Sequence, residues 1–156
     1  MSAPPEFRFI DPGVLSDGEL NLVLVALKAP DPAKEWVPAY EFEIRLAAAR
    51  KTVGTVNLRA VSTPFLEQFG GHVGYNVAPA FRGRHFAERG VRLILPLALR
   101  HGINPVWITC NPDNWPSRRT CERLGGRLVE IVEVPADSDL YLRGDRQKCR
   151  YRLDLA

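Results

Sequence analysis

The first half of the chain alternates apolar and polar positions along two neighbouring segments. Tyr40–Leu46 reads YEFEIRL, with an apolar side chain at every second position, and Thr52–Ala60 alternates in the same way around Gly54. A period of two is typical of strands that bury one face. The short turn Ala48–Lys51 between the two segments therefore predicts an antiparallel hairpin.

The segments before this hairpin give further expectations. Phe7–Ile10, which follows a proline-rich start, is predicted to form a short strand. Ser16 precedes two acidic residues and the apolar run Leu20–Leu27, an arrangement that predicts a helix capped by Ser16. Three prolines in Ala29–Pro38 predict a loop before the hairpin.

In the second half of the chain, strands alternate with helices. The strand His72–Val77 is followed by a turn and by Phe86–Arg100, whose apolar residues have the spacing of an amphipathic helix. The elements predicted after it are a buried strand at Val106–Cys110, a helix capped by Asp113 or Asn114 that ends at Gly125 and Gly126, and final strands at Leu128–Val134 and Cys149–Leu155. This order predicts an α/β fold with a mixed sheet and helices on both faces.

Composition and charge narrow the class of protein. The 156 residues are 46% hydrophobic and 25% charged, which is typical of a globular chain, and the length favours a single domain over residues 1–156. The net charge of +3 is spread along the chain and does not favour a nucleic-acid partner.

Membrane, export and metal signals are weak. No apolar stretch approaches the roughly 18–20 residues that a membrane-spanning helix needs, and Met1–Arg8 does not have the pattern of a secretory signal. The sequence thus predicts no membrane partner and a cytoplasmic location. Cys110, Cys121 and Cys149 have neither CxxC nor Cys/His metal spacing, so reduced thiols and no metal are expected.

The turn Val77–Ala87 carries the clearest chemical signal. It places Gly83 between Arg82 and Arg84, immediately before a predicted helix. Free backbone N–H groups at the positive end of a helix dipole bind anions, and a pyrophosphate is a natural occupant of such a turn. Solvated arginines on an ordinary turn would explain the same residues, so both interpretations stay open at this point.

Two longer blocks add a resemblance to a known family. GGHVGYNVAPAFRGRHFAERGVRLILPLAL, followed by ITCNPDNWPSRRTCERLGG, resembles the GNAT superfamily of acyl-CoA-dependent N-acetyltransferases, in particular a branch of small bacterial members. The resemblance is most specific at Gly70–Gly126. It implies a central, mostly antiparallel sheet whose middle strands splay apart, acetyl-CoA as co-substrate and a small-molecule or peptide amine as acceptor. It also implies that a homodimer is a frequent arrangement.

The resemblance assigns cofactor-binding residues by position. The phosphate loop of the family reads R/Q-x-x-G-x-G/A, and the corresponding residues here are Arg82, Gly83, Arg84, His85, Phe86 and Ala87. His85 stands where the family has its middle glycine, so the imidazole either crowds the pyrophosphate or donates a hydrogen bond to it.

The pantetheine arm of the co-substrate is expected to lie beside the strand that precedes this loop. By the same resemblance, main-chain groups near Val77 would bind the arm and polarise the thioester carbonyl. Asn114 and Ser117 match family positions that contact pantetheine, although helix capping would explain Asn114 equally well.

The groups that transfer protons are less certain from the sequence. Family members often carry a tyrosine about seven residues after the asparagine that starts the last helix, and this chain has Cys121 there. That thiol is expected either to protonate the leaving thiolate or to pack in the core. His72 is the first candidate for the base that accepts the proton of the amine, and Glu41, Glu43 and Asp113 are alternatives.

The expected function is that of an acetyl-CoA-dependent N-acetyltransferase that passes the acetyl group directly to a primary amine. Two alternatives remain: acyl transfer to a hydroxyl or a protein N-terminus, and a non-catalytic CoA-binding regulatory module. The loops Ala29–Pro38 and Ala136–Gln147 are expected to flank the acceptor cleft. Asp137, Asp139 and Asp145 in the second loop would favour a cationic amine unless they are simply solvated.

Overall fold

The structure, a computed structural model, describes residues 7–34 and 36–155. Within these residues it contains eight strands and three α-helices. The strands are β1 (Leu15–Ser16), β2 (Leu20–Lys28), β3 (Ala39–Leu46), β4 (Lys51–Arg59), β5 (Val73–Val77), β6 (Val106–Cys110), β7 (Arg127–Glu133) and β8 (Gln147–Leu153). The helices are α1 (Phe86–Arg100), α2 (Trp115–Arg123) and α3 (Asp139–Leu142).

The strands form two antiparallel groups that meet at β5 and β6. Strands β1 to β5 follow one another in sequence order, whereas the second group has the order β6-β8-β7. No ladder joins β5 to β6 in the described part of the chain; the His72 N–H donates to the Trp107 carbonyl at 2.7 Å just before β5 begins. The two strands therefore touch at their N-terminal ends and separate beyond them, which confirms the α/β fold with splayed central strands.

Both long helices cover the same face of the sheet. Helix α1 lies close against β2 and β3 because residue 90 is glycine: a Cβ at Gly90 would be only 2.9 Å from Cδ1 of Ile44. The inward side chains of β3, among them Phe42 and Ile44, are almost completely buried beneath it. Tyr75 of β5 points to this same face and reaches Ser117 of α2. The apolar core thus lies between the sheet and the two helices.

The opposite face of the sheet, called the outer face below, has a lighter cover. Alternate residues of β3 on this face are polar and half-buried, namely Glu41, Glu43 and Arg45. Of the described residues, only two short helical segments lie here, a π-helical turn at Leu66–Gly70 and α3. Helical structure is therefore present on both faces, but the long helices are on one of them.

The predicted helix at Leu20–Leu27 is wrong, because this segment is strand β2. It pairs with β3 from Leu20 opposite Leu46 to Lys28 opposite Ala39. Ser16 is accordingly part of β1 and not a helix cap. The acidic residue that follows it makes a turn, since the Asp17 carboxylate accepts the N–H of Leu20 at 2.8 Å.

The predicted strand at Phe7–Ile10 is also wrong, although these residues pack on the core. Their backbone is not paired as a strand. The Phe9 ring meets Tyr40 edge to face at 5.1 Å, and the Ile10 N–H donates to the Tyr40 hydroxyl at 2.7 Å. The β3–β4 hairpin and the α1, β6 and α2 elements lie where the sequence predicts them.

Among the described residues, none of the helices is long and apolar enough to cross a bilayer.

Candidate functional site

A cavity of about 670 Å³ lies between the C-terminal end of β5, the start of α1 and one side of α2. Its volume is within the range of about 300–1,000 Å³ that is typical of cofactor and small-molecule sites. The cavity exists because β5 separates from β6, so that α2 stands against the end of β5. It is lined by the predicted residues Val77, Arg82, Gly83, His85, Phe86, Ala87, Asn114 and Ser117.

One predicted cofactor-binding residue does not line this cavity. The Arg84 guanidinium lies 5.8 Å from the centre of the Phe81 ring, and Phe81 is the residue of that pair that reaches the cavity. Two cationic residues that the sequence motif did not indicate line the cavity in its place. They are Arg119 and Arg123 of α2.

The start of α1 supplies donors to the same cavity. The first hydrogen bond of the helix runs from the Arg89 N–H to the His85 carbonyl at 3.0 Å, so the N–H groups of the preceding helical residues have no partner inside the helix. These donors and the positive end of the helix dipole favour an anion. The Arg82 side chain closes the loop by donating from Nε to the Val77 carbonyl at 2.9 Å.

The backbone at His85 explains why a glycine would suit this position. His85 has φ 62° and ψ 23°, in the left-handed region, and its side chain is exposed and makes no capping hydrogen bond. Histidine is one of the few non-glycine residues that enter this region with some frequency. The turn therefore has the conformation that a glycine would give it, and the imidazole does not close the cavity.

Replacing His85 tests how much strain this turn carries. We expect His85→Gly to raise the free energy of unfolding by up to about 1 kcal/mol, because a left-handed backbone costs an L-residue roughly 1–2 kcal/mol and glycine offsets part of the gain through its greater unfolded-state entropy. His85→Ala, which keeps a Cβ on the same backbone, is the matched control and should give no gain. Denaturant unfolding of the three proteins measures the difference, and equal stability of the Gly and Ala variants would contradict it.

The comparisons with known proteins identify the family. A family model described as an acetyltransferase (GNAT) domain matches residues 8–127. The chain belongs to the GNAT acetyltransferase family. This places it among the acyltransferases, as the sequence resemblance implies.

Solved GNAT structures share the fold at low sequence identity. A ribosomal-protein-S5-alanine acetyltransferase from Vibrio fischeri is 19% identical with a TM-score of 0.58, and the match covers 74% of this chain and 61% of that one. A protein from Vibrio cholerae, provisionally assigned as a ribosomal-protein-serine acetyltransferase, is 16% identical with a TM-score of 0.67 and matches 94% and 100% of the two chains.

A third structure of this fold contains coenzyme A. It is a ribosomal L7/L12 alpha-N-protein acetyltransferase, 13% identical with a TM-score of 0.65, and the match covers 91% of this chain and 98% of that one. This GNAT chain therefore spans less than two thirds of the Vibrio fischeri enzyme but nearly the whole length of the other two. A search of curated protein sequences gave no match.

Tyr75 is a residue of the GNAT cavity that the sequence analysis missed. Its hydroxyl lies 2.6 Å from Oγ of Ser117 and 3.8 Å from Sγ of Cys121. Burial is the main reason that the pKa of this phenol is raised well above its usual value, so it is protonated at neutral pH. The signal in the sequence was the alternation of β5, which puts Tyr75 on the same face as Val73 and Val77.

Cys121 lies behind this tyrosine and is completely buried. Its pKa is raised, first by a hydrogen bond with Cys110 and then by burial, whereas the same hydrogen bond lowers the pKa of Cys110 to about 7. Cys110 and Cys121 therefore interact with each other in the core. Cys121 is not among the residues that line the cavity, and its surroundings are those of a packing residue.

His72 occupies the vertex at which β5 and β6 meet. Its Nδ1 accepts the N–H of Trp107 at 2.9 Å, and its Nε2 lies 2.8 Å from the hydroxyl of Ser62, which donates in turn to Glu67 at 2.8 Å. Burial lowers the pKa of His72 to about 4. Both ring nitrogens are thus occupied within the protein, and the side chain is 1% exposed, which favours a positioning role over that of a base.

The other candidate bases, Glu41, Glu43 and Asp113, are not among the described residues that line the cavity. Glu43 forms an ion pair with Arg45 at 2.8 Å on the outer face. Glu41 lies on that face opposite Asn57 of β4. Asp113 precedes the α2 cap, Asn114, whose side chain accepts the N–H of Ser117 at 3.3 Å. Asn114 therefore caps the helix and also lines the cavity, while its contact with pantetheine stays a prediction.

Proposed function

We propose that this GNAT domain is an acetyl-CoA-dependent N-acetyltransferase that transfers an acetyl group directly to a primary amine. The observation that carries the proposal is the cavity between β5 and α2, which combines the free N–H groups at the start of α1 with the end of β5, the strand that forms no ladder with β6 in the described part of the chain. A GNAT domain with such a cavity offers a long thioester both space and a binding site for its diphosphate.

The residues present fit this co-substrate. The free N–H groups at the start of α1 and the side chains of Arg82, Arg119 and Arg123 would hold its phosphates, because arginine binds phosphate oxygens with a planar fork of donors. Val77, Asn114 and Ser117, nearer to the sheet, would hold the pantetheine arm. Acetyl-CoA supplies an activated acyl thioester when bound.

Direct transfer is favoured by the side chains that line the cavity. Two of the described lining residues carry an aliphatic hydroxyl, and both hydroxyls are already hydrogen-bonded: that of Ser117 to the Tyr75 phenol at 2.6 Å, and that of Thr120 to the Pro116 carbonyl at 3.0 Å. No cysteine lines the cavity within the described part of the chain. We therefore assign no acyl-enzyme step, and expect positioning and a polarised carbonyl to provide most of the acceleration.

We assign the proton-donating role at the departing sulfur to Tyr75 and not to Cys121. The phenol lines the cavity and is protonated at neutral pH, whereas the thiol is enclosed by the core. The phenol thus reaches from β5 towards the part of α2 where many relatives carry their tyrosine. His72 acts through the backbone, by joining the start of β5 to Trp107 and so fixing the gap between the strands.

Calorimetric titration with acetyl-CoA, followed by an assay of thiol release over a panel of amines, tests the proposal. We expect saturable binding with a Kd in the micromolar range and amine-dependent release of free CoA. Peptides with a free N-terminus belong in the panel because the similar structures include ribosomal-protein acetyltransferases. Binding without turnover of any amine, alcohol or peptide would favour the regulatory CoA-binding module, and absence of binding would overturn the co-substrate assignment.

A further inference from the structure

A second cavity, of about 270 Å³, opens on the outer face of the sheet. We call it the outer pocket. Gly74 of β5 and Thr109 of β6 line it from the two sides of the central gap. The Phe65 and Phe69 side chains of the helical turn and Leu140 of α3 supply its apolar surface.

The outer pocket and the cavity beside α2 lie on opposite faces of β5, next to the gap between β5 and β6. Gly74 lines the outer pocket, and Tyr75, the next residue along β5, lines the cavity on the helix face. Successive residues of a strand point to opposite faces, and their Cα atoms are only about 3.8 Å apart. An acceptor in the outer pocket would therefore meet a thioester that enters from the helix face.

The charged residues of the outer pocket all have the same sign. Arg59, Arg143 and Lys148 line it, and no carboxylate is among its described lining residues. They come from β4, from the segment after α3 and from β8. Three cations around a small, partly apolar space are costly unless counter-charges are present.

Of the three cations, Arg59 is the one whose charge is least neutralised by a neighbouring carboxylate. Its Nη1 donates to the carbonyls of Gly70 and Gly71 at 3.2 and 3.1 Å, and none of the ion pairs among the described residues includes it. Burial lowers the pKa of this guanidinium, and the nearby charge of Arg143 lowers it further. The side chain is thus fixed by one amino group, while its remaining N–H groups can donate hydrogen bonds to a carboxylate or phosphate oxygen.

The carboxylate of Asp145 neutralises part of this positive charge, although Asp145 does not itself line the outer pocket. Asp145 Oδ2 lies 2.9 Å from Nε of Arg143 and 3.2 Å from Nζ of Lys148. Although burial raises it, the pKa of Asp145 is lowered to about 2 by hydrogen bonds from Asn111, Arg143 and Lys148. Asp145 therefore neutralises one of three positive charges and does not present its own charge to a ligand.

The acidic residues of the Ala136–Gln147 loop consequently do not favour a cationic acceptor. Asp145 is bound to Arg143 and Lys148, and Asp137 and Asp139 are exposed and do not line the outer pocket. Arg143 of this loop, Arg59 of β4 and Lys148 of β8 line the outer pocket in their place.

We propose that the outer pocket binds an acceptor amine that also carries an anionic group, a carboxylate or a phosphate, held by Arg59 together with Arg143 and Lys148. This inference rests on the proposed N-acetyltransferase function, because it names the class of amine that this function would use. The anion lies against the three cations, and the amine points towards the gap at Gly74 and Thr109. Charge-assisted hydrogen bonds from the guanidinium groups orient the substrate for attack.

Two matched pairs of amines test the proposal by calorimetry, with turnover as a second readout. Phosphoethanolamine with ethanolamine tests the phosphate arm, and γ-aminobutyrate with γ-aminobutyramide tests the carboxylate arm. We expect the member with the anionic group in at least one pair to bind at least about tenfold more tightly than its partner without that group, because charge-assisted hydrogen bonds are stronger than neutral ones. The preference should decrease with rising salt concentration.

Variants of Arg143 locate the effect in the pocket. The Arg143 side chain is 65% exposed, so Arg143→Gln should leave the fold intact while it reduces the preference for the anionic amine several-fold. Arg143→Lys keeps the charge and should retain most of the preference. Arg50→Gln, in the exposed β3–β4 turn, removes one positive charge far along the strands from the pocket and should change nothing.

The outcomes separate this inference from the proposed function. If acetyl-CoA binds but neither pair shows a preference for its anionic member, the inference is overturned and the N-acetyltransferase proposal survives. If the preference is present and Arg143→Gln removes it while acetyl-CoA does not bind, the anion pocket is supported and the acetyl-CoA proposal fails. A preference that Arg143→Gln and Arg50→Gln reduce equally would be a general charge effect and would overturn the assignment to this pocket.

Discussion

Ala87→Glu should abolish acetyl-CoA binding while leaving the protein folded. Ala87 is the second residue of α1 and lines the cavity where the helix presents its free N–H groups. A glutamate here would place a carboxylate at the proposed phosphate site. At an effective dielectric constant of about 20, two like charges about 4 Å apart repel by roughly 4 kcal/mol, so a loss of affinity of at least about 100-fold is expected. Calorimetric titration with acetyl-CoA measures this loss.

Two features make this substitution informative. A negative side chain in the first turn interacts favourably with the helix dipole, so the free energy of unfolding should stay unchanged or rise slightly. Ala87→Gln is the matched control, because it has nearly the same size without the charge, and it should lose much less affinity. Equal losses for the Gln and Glu variants would show that bulk alone is responsible, and unchanged affinity in Ala87→Glu would mean that phosphates do not bind at the start of α1.

The second half of the fold could be predicted from sequence because its signals are local. Asn114 followed by Pro116 marks the start of α2, and the structure shows the Asn114 side chain capping that helix. The turn before α1 is a contiguous motif, so its residues are bound to lie near one another. Both elements also carry the family resemblance, which the matching family model confirms.

The segment at 20–28 shows where local information is insufficient. Its sequence LNLVLVALK is apolar at nearly every position after Asn21, so neither the helical period nor the strand period is distinct. The pairing partner decides between them: β3 offers an edge on which Leu20 and Leu22 align with Leu46 and Ile44. Strand β3 lies outside the segment 20–28, so the apolar pattern of that segment alone does not reveal its pairing partner.

The site shows the same division between local and distant information. The turn Val77–Ala87 could be predicted to line a site, but the outer pocket could not, because Arg59, Arg143 and Lys148 are brought together by strand order and not by spacing. Tyr75 was missed for a similar reason. The resemblance directs attention to α2 as the source of a phenol, whereas the structure supplies one from β5 that ends beside Ser117.

His72 should make the stability of the protein depend on pH between about 6.5 and 4. The buried imidazole has its pKa lowered from 6.5 to about 4, so in this range the unfolded chain binds a proton that the folded protein does not. The stability that the neutral His72 contributes is therefore fully present above about pH 6.5 and is lost as the pH falls towards 4. This difference in pKa lowers the free energy of unfolding by an amount on the order of 3 kcal/mol at acid pH, since each pKa unit corresponds to about 1.4 kcal/mol.

Denaturant unfolding of wild type and His72→Ala at several pH values isolates this contribution. The variant should already be less stable at pH 7, by roughly 2–4 kcal/mol, because it leaves a cavity and removes the hydrogen bonds to Trp107 and Ser62. Its stability should also fall less steeply between pH 6.5 and 4, because the proton that His72 takes up on unfolding is gone. His85→Gln serves as the control, since His85 is exposed and its replacement should keep the wild-type slope. If His72→Ala retains the full slope, the acid sensitivity arises elsewhere, and the contact between β5 and β6 does not depend on a neutral imidazole.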